Sequence, residues 1–277
     1  FRESEALLQA ILQKMDLINN PRVQFIEHIL ILFLSLMGRY TFLNFGRFGR
    51  YCERSYRYHF GRAFDFLSFN RHLIESCPMG SKVLVFDPSY LPKSGKSTAY
   101  VDRFYSGVAG KYLPGMEVGV LALVDRSTCT AMPVEVVQSP DAQTLKDQDQ
   151  SLIDHYCELI LDRKEALAQM SRYLVVDGFF AKRKFILPIV EQTDLDLICL
   201  LRKDANLRYL YDGPQKSRGR KKRYDGKVNL KQLDPNKVKL VYENNKERLF
   251  AFQANVVRLD INAVSYTHLT LPTSVMV

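Results

Sequence analysis

Two apolar runs, Val83-Leu84-Val85-Phe86 and Tyr173-Leu174-Val175-Val176, are continuous rather than alternating, and each is closed by an aspartate, Asp87 and Asp177. Such runs, β-branched and aromatic, suit strands covered on both faces, as in parallel or mixed sheets. Between them, 116–124 and 131–137 read as strands joined by the turn Asp125-Arg126-Ser127-Thr128, a hairpin pattern. Residues 141–170, with Leu152, Ile153, Tyr156, Leu159, Ile160 and Leu167 on one stripe, predict a single helix. A second helix is expected over 182–192, kinked or shortened by Pro188, followed by a strand over 195–201. Upstream, 23–37 and 50–60 predict two helices separated by a break around Gly38, Gly46 and Gly49.

Three strands, helix, strand, helix, strand is the ribonuclease H-like order, a mixed α/β sheet flanked by helices. In that order the first and fourth strands lie side by side, which would unite Asp87 and Asp177 although 90 residues separate them. Reactive groups of open α/β sheets sit beyond the carboxyl ends of the strands. Two carboxylates placed there repel unless a cation lies between them, so the pair predicts a divalent-metal site. The competing reading is that each aspartate merely caps the turn that follows its strand.

The length of 277 residues, 47% apolar and 25% charged, describes a globular chain and excludes disordered or collagenous classes. Five scattered cysteines make no CxxC pair and no zinc spacing with the five histidines, which fits a reducing cytoplasm. The apolar stretch 29–37 falls well short of the ~20 residues of a membrane span and is expected to be a buried helix, with no membrane partner. The chain starts at Phe1 with no basic leader before a cleavage site, so it reads as a fragment without a signal peptide.

Charge is concentrated in two places. Residues 202–248 hold fifteen Lys and Arg against six Asp and Glu, an excess equal to the net +9 of the whole chain. Within that window lies Lys216-Ser217-Arg218-Gly219-Arg220-Lys221-Lys222-Arg223, dense enough to attract a polyanion, or else a loop kept soluble by its charge. Between Arg39 and Arg62 six arginines face a single acid, Glu53, and are interleaved with aromatic residues. On one continuous helix Arg47, Arg50, Arg54 and Arg57 would form a stripe suited to phosphates; in the alternative the aromatics fill a core and the arginines pair locally.

The blocks LVFDPSYLPKSGKSTAYVDRFYSGVAGKYLPGMEVGVLALVD, YLVVDGFFAKRKFI and LLRKDANLRYLYDGPQKSRGRKKRYDGKV, in this order over about residues 80–230, resemble the catalytic domain of bacterial insertion-sequence transposases of the DDE class. The resemblance implies an enzyme with a ribonuclease H-like core and a β-rich insertion at about 209–257. It further implies Mg²⁺ (or Mn²⁺) held by Asp, Asp and Glu, with Asp87 the first ligand and Asp177 the second. Double-stranded DNA is the implied partner, with a homodimer in the full-length parent and a bacterial, nucleoid-associated, cytoplasmic location. The expected organisation is a helical DNA-binding region over 1–78, an incomplete catalytic core over 79–205, a basic β-rich insertion over 206–258 and a non-native tail over 259–277. Lys93 and Lys96, beside the first aspartate, join Arg47, Arg50, Arg54, Arg57, Arg218, Arg220, Lys221, Lys222 and Arg223 as DNA contacts.

One family feature is missing. The third carboxylate, a Glu on a helix after the insertion, has no counterpart here, so the chain is expected to be a truncated, inactive transposase or a DNA-binding derivative of one. Ser94-Gly95-Lys96-Ser97 resembles the end of a phosphate-binding loop, but Tyr90 occupies the required Gly position and Pro88 and Pro92 remove backbone donors. Asp102 and Asp125 read as turn or strand-end acids, and His155 as a partly buried helix residue.

Overall fold

The structure is a computed structural model that describes residues 2–15, 18–95, 98–200, 206–229, 232, 238–243, 248–252, 256–258, 265–266 and 269–273. It divides into two compact units, Phe1–Asp141 and Ala142–Val277.

The first unit begins with five helices: α1 (Arg2–Lys14), α2 (Asn20–Ser35), α3 (Phe42–Phe48), α4 (Glu53–Phe60) and α5 (Phe66–Glu75). Asn19 starts α2 by accepting the Arg22 amide at 3.0 Å, with Pro21 in the first turn, where a missing N–H costs nothing. Thr41 starts α3 in the same way, accepting from the Asn44 amide. That cap overrides the expected break, so Gly46 lies inside a helix and Arg50 lies between helices rather than in one. Gly49 ends α3 where a side chain would collide with Tyr56 Oη and lie 2.7 Å from Phe45 O. Ile11, Leu12, Phe25, Ile29, Phe45 and Tyr56 are among the buried residues of this helical core. The apolar run in α2 is only partly covered: Ile29 and Leu32 are buried, whereas Leu34 and, beyond the helix, Met37 are exposed.

Strands complete the unit: β1 (Lys82–Pro92), β2 (Asp102–Ser106), β3 (Lys111–Asp125) and β4 (Thr130–Gln138). β3 takes β1, β2 and β4 as antiparallel partners. The expected hairpin is present as β3–β4, whereas β2 falls in a stretch read as loop. The first strand does not stop at Asp87. Pairing continues five residues further because Pro88 and Pro92 face Gly119 and Gly115, and Gly115 gives the backbone room beside the Tyr90 ring.

The second unit opens with α6 (Ala142–Asp147), α7 (Leu152–Asp162) and α8 (Lys164–Met170) in place of one long helix. Asp149 has φ 53°, and Ser151 with Asp154 forms a reciprocal capping box that starts a new helix. Then come β5 (Tyr173–Val176), a 3₁₀ turn (Gly178–Phe180), α9 (Arg183–Gln192) and β6 (Asp196–Cys199). Pro188 sits inside α9 without ending it. β5 and β6 pair in parallel across α9, and Ile153, Tyr156, Ile160, Phe185 and Ile189 are buried in this unit. Antiparallel and parallel pairing among helices gives the mixed α/β architecture of a ribonuclease H-like fold.

Further strands follow where a β-rich insertion is expected: β7 (Leu207–Leu210), β8 (Tyr224–Lys227), β9 (Val238–Glu243), β10 (Arg248–Phe252) and β11 (Val256–Arg258). Two more, β12 (Ser265–Tyr266) and β13 (Leu269–Thr273), pair with β11 and β10. Among the described residues no helix is long and apolar enough to cross a membrane.

Candidate functional site

Asp87 stands within β1 opposite Val120 of β3. Side chains alternate across a strand, so it shares a face with Val83 and Val85 while Leu84 and Phe86 are buried on the other. The apolar cover of that face thins along the strand, and Asp87 is exposed. Rigid pairing on the β3 side fixes its backbone, which a loop position would not do.

Asp177 follows the last residue of β5 and is also exposed. One of its oxygens accepts the Phe179 amide at 2.9 Å, which caps the 3₁₀ turn. The capping expected of a strand-end acid is therefore present, and it uses one oxygen of two. Asp87 belongs to the first unit and Asp177 to the second. Among the described residues no three His, Cys, Asp or Glu side chains cluster as a metal-ligand set. The donor chemistry nevertheless suits a hard cation, because Mg²⁺ is commonly held by one or two carboxylates with water and substrate phosphate oxygens completing its shell.

The acids set aside from the site behave as turn chemistry predicts. Asp125 is 1% exposed and accepts from Ser127 Oγ at 2.5 Å, Ser127 N at 2.9 Å and Gly80 N at 3.1 Å. Those bonds, led by the Ser127 hydroxyl, hold its carboxyl far below the usual range. Asp102 begins β2. His155 lies on α7 with Nε2 buried and unbonded among the described residues, and burial lowers its pKa.

The helical arginines do not form one stripe. Arg47 is on α3, Arg50 on the connection, and Arg54 and Arg57 on α4; all four are exposed. Arg57 is committed locally, with Nη2 2.6 Å from Glu53 Oε1 and its guanidinium 4.7 Å from the centre of the Phe42 ring. The Arg50 amide donates to His28 Nε2 at 3.1 Å, and Tyr56 Oη lies 2.6 Å from the same nitrogen. Burial first and Arg50 second lower the His28 pKa. The interleaved aromatics pack together: Phe42, Phe45, Tyr51, Tyr56 and Phe60 all have ring partners.

Arg22, which no pattern in the sequence singled out, is the buried cation of this region. At 8% exposure it donates to His59 O at 2.7 Å and Arg62 O at 3.0 Å, covering carbonyls at the C-terminal end of α4.

The basic loop has a defined form. The Gln215 amide donates to Lys222 O at 2.7 Å and accepts from Lys222 N at 2.9 Å, as a neighbouring strand would. Lys222 Nζ lies 2.6 Å from Asp225 Oδ1 and 4.3 Å from the Tyr211 ring centre, so this lysine is tied to the loop. Arg218, Arg220, Lys221 and Arg223 are exposed, and Gly219 turns the chain at φ 96°. A cavity of about 420 Å³ is lined by Tyr211, Gln215, Lys216, Arg220, Lys221 and Lys222. Lys93 is exposed just after β1, and Lys96 lies outside the described residues.

An exposed aspartate within one strand and another just after a second, with exposed cations in each unit, describe a mixed α/β protein equipped for a polyanionic substrate. A family model described as DDE superfamily endonuclease matches residues 68–258, more than half of the chain, and the chain belongs to that family. It is thus a DDE-class, transposase-like nuclease domain whose substrate is DNA, and endonucleases of this superfamily generally depend on a divalent metal. No curated protein matches the chain.

Proposed function

We propose that the protein is an insertion-sequence transposase that cuts and transfers DNA strands, with Asp87 and Asp177 as ligands of Mg²⁺. The observation that carries this reading is an exposed aspartate at the point where each of two apolar strand runs gives way, within the span matched by the endonuclease family. The bound metal would activate the attacking oxygen and neutralise charge on the leaving one. The chain's own residues do the positioning. Asp87 is fixed by strand pairing with β3, Asp177 by its bond to the Phe179 amide, and the exposed loop arginines hold the DNA backbone through its phosphates, with no sequence preference.

A second reading is a transposase-derived DNA binder without catalysis, which the exposed cations of the 216–223 loop would serve equally well. The test is Mg²⁺-dependent nicking and strand transfer by the unaltered protein and by its Asp87→Ala and Asp177→Ala variants. Each substitution should lower the rate about 10²–10³-fold, the equivalent of several kcal/mol of lost metal stabilisation. Full activity in either variant removes that aspartate from the site.

A further inference from the structure

We infer that the β2–β3 hairpin is a stacking platform for unpaired DNA bases, with Tyr105 and Tyr112 as its rings and Arg103 and Lys111 as its partners for the DNA backbone. This rests on the DNA-acting reading above and adds a place where the strands of a partly opened duplex are held.

The geometry begins with register. β1 pairs β3 only as far as Gly115 and β4 pairs it only from Val118, so among the described residues 111–114 have β2 as their one strand partner. A two-stranded ribbon therefore runs on past the sheet and closes through the turn Gly107–Gly110, with Gly110 at φ 62°. Alternation sorts its faces: Phe104 and Ser106 are buried, while Arg103 and Tyr105 point the other way and are exposed. Tyr105 lies directly opposite Tyr112, the ring centroids 5.5 Å apart and edge to face, and the two are 52% and 60% exposed. Val108 stands fully exposed at the tip.

Two isolated rings on a surface need no explanation, but a cross-strand pair on the outer face of a two-stranded ribbon does, because that face covers no core while Phe104 and Ser106 are buried on the other. The charge around the pair selects the occupant. Arg103 Nη2 reaches Tyr112 O at 3.4 Å, which sets a guanidinium beside the rings, and Lys111 precedes Tyr112. From Lys93 to Gly115 there are four Lys and Arg against Asp102 alone. Aromatic faces bordered by cations are what single-stranded nucleic acid requires, since every base offers a π-face and every linkage a negative charge.

The experiment is fluorescence anisotropy with the full chain in EDTA, comparing a blunt duplex with a duplex of equal length bearing a short single-stranded tail that contains 2-aminopurine. The unaltered protein should favour the tailed DNA and change the 2-aminopurine signal. Tyr105→Ala with Tyr112→Ala should lose about tenfold in affinity for the tailed DNA and nothing for the blunt one, while the double Phe variant keeps the preference. Unchanged circular dichroism and melting temperature are expected for these exposed positions. Equal binding of both DNAs by the unaltered protein, an equal loss on both in the Ala variant, or an Ala variant altered only in self-association by sedimentation would each overturn the inference. Asp87→Ala separates the two readings: it should bind the tail normally in EDTA, and a failure of Asp87 as a metal ligand in the nicking test of the proposed function would leave the hairpin result standing.

Discussion

In the helical region 39–62 the cations are set among aromatic rings, whereas in 216–223 they ride on a loop closed by one glutamine. The first arrangement joins charge to the core. Arg57 lies on the Phe42 ring and pairs with Glu53, Arg50 offers its amide to half-buried His28, and neighbouring Arg22 is itself buried. The second separates charge from packing: Gln215 fixes the backbone through Lys222, and the remaining cations stand in solvent. Six cations in each region therefore carry different consequences. Substitutions in the helical region are expected to act on folding, and under the proposed function those in the loop on DNA binding.

The largest effect expected from this contrast belongs to Arg22→Ala. Hydrogen bonds from a charged donor are worth about 1.5–3 kcal/mol each, and the carbonyls of His59 and Arg62 lose theirs when the guanidinium goes. A loss of about 3 kcal/mol in urea unfolding is expected. Arg22→Lys should recover only part of it, because an ammonium cannot span two carbonyls as a planar fork does. A change within about 0.5 kcal/mol, the range of ordinary surface positions, would break the comparison.

The same contrast explains what could be read from the sequence. The apolar runs before Asp87 and Asp177, the hairpin 116–137 and the strand order were legible because burial leaves continuous hydrophobicity. The extension of β1 to Pro92 was not, since it depends on Gly115 and Gly119 in a partner strand. β2 was hidden because only Phe104 carries the apolar signal in a stretch rich in Gly and Ser. The break at Asp149 and the Ser151–Asp154 box were present in the sequence but overridden by one helical stripe that continues through α7 and α8. Arginine spacing misled for a related reason: it assumed one helix, and Thr41 starts a separate one. Gln215 and Arg22 left no pattern at all, because each acts through two hydrogen bonds to backbone atoms outside its own element's periodicity.

A second, smaller effect should appear in DNA binding alone. Replacing Arg218, Arg220, Lys221 and Arg223 with Ala removes four exposed charges, none of which supports a packed ring. Counterion release predicts that the slope of log K against log salt becomes shallower by about 0.9 for each phosphate no longer neutralised, so by up to about 3–4. Unfolding free energy should stay within about 0.5 kcal/mol of the parent. An unchanged salt slope would move the DNA-binding surface away from this loop. A large loss of stability would mean that the loop is held by its charges and not by Gln215.

The smallest effect is also the sharpest separation of the two regions, because Arg57 was one of the cations expected to grip DNA. Its pair with Glu53 is solvent-exposed and spaced i,i+4, which limits it to about 0.3–0.5 kcal/mol, and the Phe42 ring adds about 0.5–1 kcal/mol. Arg57→Ala should therefore cost about 1 kcal/mol in urea unfolding and leave the salt slope of DNA binding where it was. Glu53→Gln should cost less than Arg57→Ala, since it removes the ion pair and keeps the cation over the ring. If Arg57→Ala instead flattens the salt slope by about 0.9, the value of a single phosphate, without changing stability, the guanidinium leaves Phe42 to meet the DNA, and the arginines of the helices belong with those of the loop.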